Sequence, residues 1–295
     1  MSLLDVSRQA VNKQIHQMKV QQQNREYIVR VVFEQRIIHP YMGAVKLYGL
    51  VKLYLISQGI KCGYQRFSKI LREEGLLVKR RKNYTITTNS DHRFVKYPNL
   101  IKDKEVTGPE QVYVNDITYI DVSGEHMYLC LTTDLYSKRI MGYHLSSDMK
   151  VSSVTESIKM AIRNSKNTQG IIHHSDRGIQ YCQPSYTEFL KENGIEISMT
   201  TKYDPYENAV AERVNGILKS EYRIGDGYPD IQTAKTDISR VIWIYNNLRP
   251  HMSCYMLTPS QAHQQSYYRL KRWGRSNSTA KIKPLEVPVK AKTGG

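Results

Sequence analysis

Several things are scarce in this chain, and each shortage excludes a class of protein. Only four cysteines occur among 295 residues (Cys62, Cys130, Cys182 and Cys254), and none forms a CxxC or CxxH pair. A disulfide framework and a structural zinc site are therefore not expected, which suits a reducing compartment. No run approaches the ~18 consecutive apolar residues that a membrane-spanning helix needs. The first residues, MSLLDVSRQA, lack the basic-then-apolar order of a secretory signal, so a cytoplasmic location is expected. Acid is scarce too: 27 Asp+Glu face 43 Lys+Arg, a net charge of +16 and a pI near 9.5. What is present is apolar material at 40%, enough for a core, so whole-chain disorder is excluded. The length suits one large domain or two to three small ones.

The positive charge is unevenly placed. Residues 1–108 hold 20 basic and 8 acidic side chains, residues 109–223 hold 12 and 15, and residues 224–295 hold 11 and 4. Net charges of +12, −3 and +7 therefore run along the chain, two basic flanks around a slightly acidic centre. A swing of this size points to nucleic-acid phosphate rather than to a uniformly solvated surface.

Residues 5–18 read as a helix capped by Ser7, and the run from Val6 to Ala10, with Arg8, resembles the start of a DNA-recognition helix. Further helices are expected at 24–37, 42–57 and 63–73, with Pro40 and Gly75 as breaks. The run Lys79-Arg80-Arg81-Lys82 follows and suits phosphate contact. Residues 83–108 have no sustained period and read as connecting chain. Three β-rich runs come next, at 111–120, 128–134 and 139–145, spaced as an antiparallel meander. A helix at 152–164, a short strand at 170–174, a helix at 184–192, a strand at 195–199 and a long helix from about Glu207 complete an order βββαβαβα. An amphipathic helix at 231–247 and a basic tail beyond 266 end the chain; Arg269, Lys271, Arg272, Trp273 and Arg275 there mix cations with an aromatic ring, as DNA contacts do or as a solvated tail does. The expected divisions are 1–88 (helical, DNA-binding), 89–108 (linker), 109–224 (catalytic core), 225–265 (C-terminal helices) and 266–295 (tail).

Three acids stand out. Asp116 interrupts the otherwise apolar strand in VNDITYI, Asp176 follows the expected buried strand IIHHS, and Glu212 lies in the long helix ENAVAERVNGILK. A carboxylate in a strand is costly unless it is paired or binds metal. Three converging carboxylates repel one another, and an oxygen-only set of this kind suits Mg²⁺ or Mn²⁺. On the helix, Asn208, Glu212, Asn215 and Lys219 fall within an arc of roughly 60°, opposite Val210, Val214 and Ile217. Lys219 on that stripe can hold phosphate, and Asn208 and Asn215 are candidate DNA contacts, Asn208 alternatively a residue that caps and packs; a solvated stripe with one acid gives the same pattern.

The spacing carries a resemblance. Asp116 lies 60 positions before Asp176, 35 residues separate Asp176 from Glu212, and Lys219 follows seven later. Together with DITYI, HSDRGIQY, ENAVAE and YNNLRPHMSCYMLTPSQAH, this resembles the D,D(35)E catalytic proteins of the insertion-sequence-three family of bacterial transposases, in the retroviral-integrase superfamily. The resemblance covers about 109–263, and more loosely a helix-turn-helix-like region at about 20–90. It implies an α/β fold: a ribonuclease-H-like core, a mixed five-stranded sheet with flanking helices, preceded by an all-α region. It also implies that Asp116, Asp176 and Glu212 hold two Mg²⁺ ions, that the protein nicks element ends and joins the freed 3′-OH to a second phosphodiester, and that it acts as a homo-oligomer, a dimer or larger, on terminal inverted repeats and target DNA. An upstream protein carrying a helix-turn-helix and a coiled coil, made as a fusion, is a further implied partner. Two departures, Tyr113 where the family often has Trp and Ile179 where it often has Ser or Thr, touch no ligand position.

His174 and Arg177 flank Asp176 and are candidate DNA contacts; His174 also reads as a packed strand-end residue and Arg177 as an organiser of the turn. Glu207 is expected to favour the helix N-terminus. A ribonuclease-H-like nuclease without strand transfer, and a repressor with an inactive core, are the alternatives. The three acids in place disfavour the repressor, and the absence of an Arg-His-Arg-Tyr set and of an HHCC module disfavours a tyrosine recombinase and a retroviral integrase proper.

Overall fold

The computed structural model describes residues 7–79, 93–201 and 207–265; Arg80, Arg81, Lys82 and the tail cluster lie outside the described residues. The chain opens with one 31-residue helix, α1 (Arg8–Ile38), where two were expected. No Pro or Gly lies between its ends, and the Gln-rich middle favours helix well enough to join the halves. Ser7 caps it, its Oγ accepting from the Ala10 N–H (3.2 Å). Two shorter helices follow, α2 (Ala44–Ser57) and α3 (Tyr64–Glu73). Ile28, Val31 and Val32 of α1 pack with Leu47, Val51 and Leu55 of α2 and Phe67, Ile70 and Leu71 of α3 in a core of their own. Arg8 therefore opens the first helix of a three-helix arrangement, and the helix that follows a turn is α3.

The five strands β1 (Val112–Val122), β2 (Glu125–Asp134), β3 (Ile140–Ser146), β4 (Ile172–Ser175) and β5 (Glu196–Met199) form one sheet in the order β3-β2-β1-β4-β5. The first three are an antiparallel meander; β4 and β5 run parallel to β1. This is the mixed sheet of the ribonuclease-H-like fold. The β1–β2 turn is the two-residue loop Ser123-Gly124, both at positive φ (56° and 81°), which suits the twist of a tight hairpin. Helices α4 (Val151–Asn164), α5 (Ile179–Cys182) and α6 (Pro184–Glu192) cover one face of the sheet, and α7 (Ala209–Glu221) and α8 (Ile231–Asn247) the other. Apolar alternation selects the faces: Ile120, Val122, Leu129 and Leu131 point to α7 and α8, whereas Tyr113, Cys130 and Met141 point to α4 and α6. Helix α4 lies so close to β3 that a Cβ at Gly142 would stand 2.0 Å from the Ser157 carbonyl oxygen. A short helix, α9 (Pro259–His263), closes the described chain behind a Thr258/Gln261 capping box.

The helical region is seated on the end of α7. The Glu221 carboxylate accepts from Nε and Nη2 of Arg249 (2.8 and 2.9 Å) and from Lys46 Nζ of α2. The Tyr41 N–H donates to the Glu221 carbonyl (3.1 Å), the Arg223 guanidinium lies 3.8 Å over the Tyr41 ring, and His39 Nδ1 meets the Tyr222 hydroxyl at 3.0 Å. Glu221 is held below the ordinary carboxylate range: burial raises it, but the Arg249 fork and Lys46 outweigh burial.

Candidate active site

The strand register brings the two aspartates together. In the parallel pair, Val112 faces Ile172 and Val114 faces His174, an offset of 60 residues, the same offset that separates Asp116 from Asp176. Each aspartate therefore lies two residues past the last paired position, Asp116 where β1 runs on beyond β4 and Asp176 just after β4 ends. The carboxyl end of a parallel strand is where open α/β sheets present their chemistry. Beyond Ser175, β4 turns away through Asp176-Arg177-Gly178. The Gly178 N–H donates to Asp176 Oδ1 (3.0 Å), and a Cβ at Gly178 would crowd that same oxygen. Arg177 Nε donates to the Thr200 carbonyl (2.7 Å) and so ties the turn to the end of β5.

Helix α7 supplies the third acid. Glu212 sits in its first turn and is exposed, and the N-terminal end of the helix dipole favours its charge. The helix is aligned by two buried asparagines. Asn208 Nδ2 donates to the Asn115 carbonyl of β1 (3.2 Å), and Asn215 Nδ2 donates to Asp116 Oδ2 (2.8 Å). The polar stripe of α7 thus faces the strands, and both asparagines, expected as DNA contacts, are instead engaged with the protein. Lys219, a turn further, is half-buried; burial lowers its pKa and the Asp116 carboxylate counteracts that.

The carboxyl groups sense one another. Asp116 is pushed up to about 7, first by burial and then by the charge of Asp176, with Glu212 adding less; the Asn215 amide and the Ile117 N–H pull the other way. Glu212 is raised by burial and by Asp176. A site that holds three mutually repelling carboxyls, with oxygen donors alone, fits a hard divalent cation in kind. Among the described residues, however, no three His, Cys, Asp or Glu side chains converge closely enough to form a ready-made cage.

The remaining expected residues are placed as follows. His174 is fully buried, its Nδ1 meets Ser198 Oγ at 2.8 Å, and burial lowers it to about 4; it packs at a strand end. Lys79 and Arg8 are exposed and lie far from the carboxylates in sequence. Glu207, one position before the cap of α7, also closes its loop, accepting from the Thr201 N–H and from Thr201 Oγ1 (3.0 Å). Sequence reasoning missed Asn115, which accepts from Thr132 Oγ1 (2.7 Å) and whose carbonyl receives Asn208. The signal was available: a second polar residue beside Asp116 in an apolar strand. It also missed Glu221 and its two cationic partners.

Two integrase core domain models match this chain, at residues 106–205 and 193–259. An insertion element IS600 protein of 31 kDa from Shigella sonnei is 31% identical over 82% of this chain and 89% of its own length. Transposase InsF of insertion sequence IS3A from Escherichia coli K12 is 29% identical over 70% of this chain and 73% of its own length. Among solved structures, the catalytic core domain of HTLV-2 integrase in complex with magnesium is 18% identical and covers 53% of this chain and 97% of that one, with a TM-score of 0.43. With the spacing of the acids, the strand order and relatives of this length, the chain belongs to the insertion-sequence-three family of transposases, whose catalytic part is an integrase core.

Proposed function

We propose that this DNA transposase binds the terminal inverted repeats of its element, nicks them to free 3′-OH groups and joins those ends to target phosphodiesters, with Asp116, Asp176 and Glu212 as its catalytic acids. The observation that carries this is the shared 60-residue offset of sequence and strand register, which sets two carboxyls side by side in reach of a third on α7. The three acids would hold Mg²⁺ or Mn²⁺, two ions per site. Bound there, the cations supply positive charge against the scissile phosphate and ease deprotonation of the attacking hydroxyl. The protein's own groups do the rest. Asn215 fixes the Asp116 carboxylate, Asn208 fixes the start of α7 against β1, and Gly178 and Arg177 fix the turn that aims Asp176. Lys219, beside Asp116, supplies a cation for a non-reacting phosphate.

In this reading residues 109–224 are the catalytic core, 225–265 its supporting helices, and 1–88, followed by a linker at 89–108, the DNA-binding region, with basic flanks, Arg8 and Lys79–Lys82 and the tail from 266 among them, gripping phosphate. The active form is a homo-oligomer on paired ends in the cytoplasm, made alone or as a fusion with an upstream protein. The test is a strand-transfer assay with labelled duplexes bearing free 3′-OH ends, with Mg²⁺. The wild type is expected to yield joined products, and Asp176→Asn to lose joining while keeping duplex binding. Cleavage without joined products would favour a nuclease instead, and joining by Asp176→Asn would remove Asp176 from the site.

A further inference from the structure

Helix α3 carries an exposed, cationic outer face. Phe67, Ile70 and Leu71 anchor its inner side in the three-helix core. Gln65, Lys69 and Arg72 share one outward stripe, with Arg66 and Tyr64 beside it in the first turn, and all five are exposed. Lys61 extends the cationic surface into the preceding turn. The only acids of this segment, Glu73 and Glu74, are drawn away from that stripe. Arg25 of α1 reaches across the bundle, with Nη1 2.6 Å from Glu73 Oε2 and Nη2 2.6 Å from Glu74 Oε1. Lys69 is left with only a long contact, 3.8 Å, to a Glu73 already engaged by Arg25. The stripe thus presents cations and one amide, with Glu73 at its edge held more closely by Arg25 than by Lys69.

The framework beneath is rigid. The turn between α2 and α3 is tied back by the Tyr48 hydroxyl, which donates to the Cys62 carbonyl (2.9 Å), and the Tyr48 ring packs against Tyr64 and Phe67. A helix projecting from such a base, about 10 Å across, fits the ~12 Å major groove of B-form DNA. The side-chain chemistry matches the groove. A Gln amide pairs with adenine N6 and N7, an Arg fork pairs with guanine O6 and N7, and Lys or Arg further along the helix meet backbone phosphate.

We propose that α3 is the base-reading helix of this transposase, with Gln65 and Arg66 contacting base edges in the major groove and Lys69 and Arg72 contacting phosphate. The proposal rests on the reading of the chain as a DNA transposase and adds to it which surface gives sequence preference. The runs at Arg8 and Lys79–Lys82 then contribute sequence-independent affinity only.

The test uses the full chain and a random-sequence duplex library, from which bound duplexes are selected and sequenced. The selected motif and a shuffled duplex of the same composition are then titrated. The wild type is expected to enrich a motif. Gln65→Ala and Arg66→Ala should each flatten preference at one position of it, roughly ten- to a hundredfold in the ratio of selected to shuffled binding. Arg66→Lys, which keeps the charge and loses the fork, should retain shuffled-duplex affinity and lose the preference. Lys69→Ala with Arg72→Ala should weaken both duplexes equally and reduce the salt slope by about two. All of these residues are exposed, and an unchanged thermal midpoint verifies folding. If the wild type selects a motif and Gln65→Ala, Arg66→Ala and Arg66→Lys all keep it with the same ratio, α3 is not the reader. Binding without any selection also overturns the proposal, but leaves the strand-transfer reading standing, because joining is scored separately on labelled ends.

Discussion

Removing the charge of Glu221 should destabilise the protein more than any surface change. The Glu221 carboxylate contacts two cations out of full contact with water: Arg249, whose side chain is 2% exposed, and Lys46, at 15%. Glu221→Leu leaves both without a counter-charge in a low-dielectric seam. Breaking a buried pair from one side costs about 3–5 kcal/mol, a sizeable part of a typical total of about 5–15. At about 2–4 °C per kcal/mol for a chain of this size, the thermal midpoint should fall by roughly 10 °C. Glu221→Gln keeps one acceptor oxygen and should lie between. The informative control is Glu221→Leu combined with Arg249→Met, which removes the orphaned fork as well and should recover most of the loss. Denaturant and thermal unfolding of these four proteins and of Arg249→Met alone, which completes the double-mutant cycle, measure this directly at pH 7.5. A Glu221→Leu protein within about 1 kcal/mol of the parent, or a double variant no better than the single one, would refute the argument that the seam is dry and charge-balanced.

Three further outcomes are expected. Burial first and the Arg249 charge second lower His39 to about 4, so its folded pKa lies below the ordinary 6.5 and the unfolded chain takes up that proton first. Stability from this group is therefore complete above pH 6.5 and is lost as pH falls from 6.5 to about 4, by about 3 kcal/mol in all. Glu221, depressed below its ordinary value of 4.5, adds a loss at still lower pH; urea midpoints between pH 4 and 7 should fall steadily for the parent and less steeply for His39→Gln. Gly142→Ala would press a methyl into the Ser157 carbonyl and the Ala161 amide, 2.0 and 2.7 Å away, and separate α4 from β3 at a cost of about 3 kcal/mol, read as a drop in the denaturant midpoint. Asn215→Ala removes the donor on Asp116 while sparing the apolar face of α7, and should slow cleavage on the order of tenfold with little change in duplex affinity, measured by single-turnover assays against binding titrations.

Much of the architecture was visible in the residues alone, for definite reasons. Helix α8 spans 231–247 as its apolar period indicates, because Ala234, Ile238, Val241, Ile242 and Tyr245 all enter one core. Asp116 and Asp176 stand out in the sequence because a carboxylate inside an apolar strand, or just beyond a buried one, is costly without a partner. The stripe on α7 was harder. Periodicity identifies a face, not what it faces, and here a polar face turns inward to a polar site, so Asn208 and Asn215 resemble solvated residues while being buried. The α1 join was missed because a Gln-rich run carries neither an apolar period nor a breaker. Glu221 left no local trace at all: its partners lie 28 and 175 positions away, beyond any helical or strand spacing.

The seating of the helical region on α7 has a consequence for DNA length. The Tyr41 N–H on the Glu221 carbonyl and Lys46 on its carboxylate connect α2, and through it α3, to the helix that bears Glu212. If α3 reads sequence, the interval between the bases read and the bond cut by one protomer is set by the body of the protein, not by a flexible tether. The fold would then act as a ruler graduated in base pairs. Inserting about five base pairs between the motif and the cut would turn the target phosphate to the far side of the duplex, and inserting about ten would restore its facing but shift it by a full helical turn of about 34 Å.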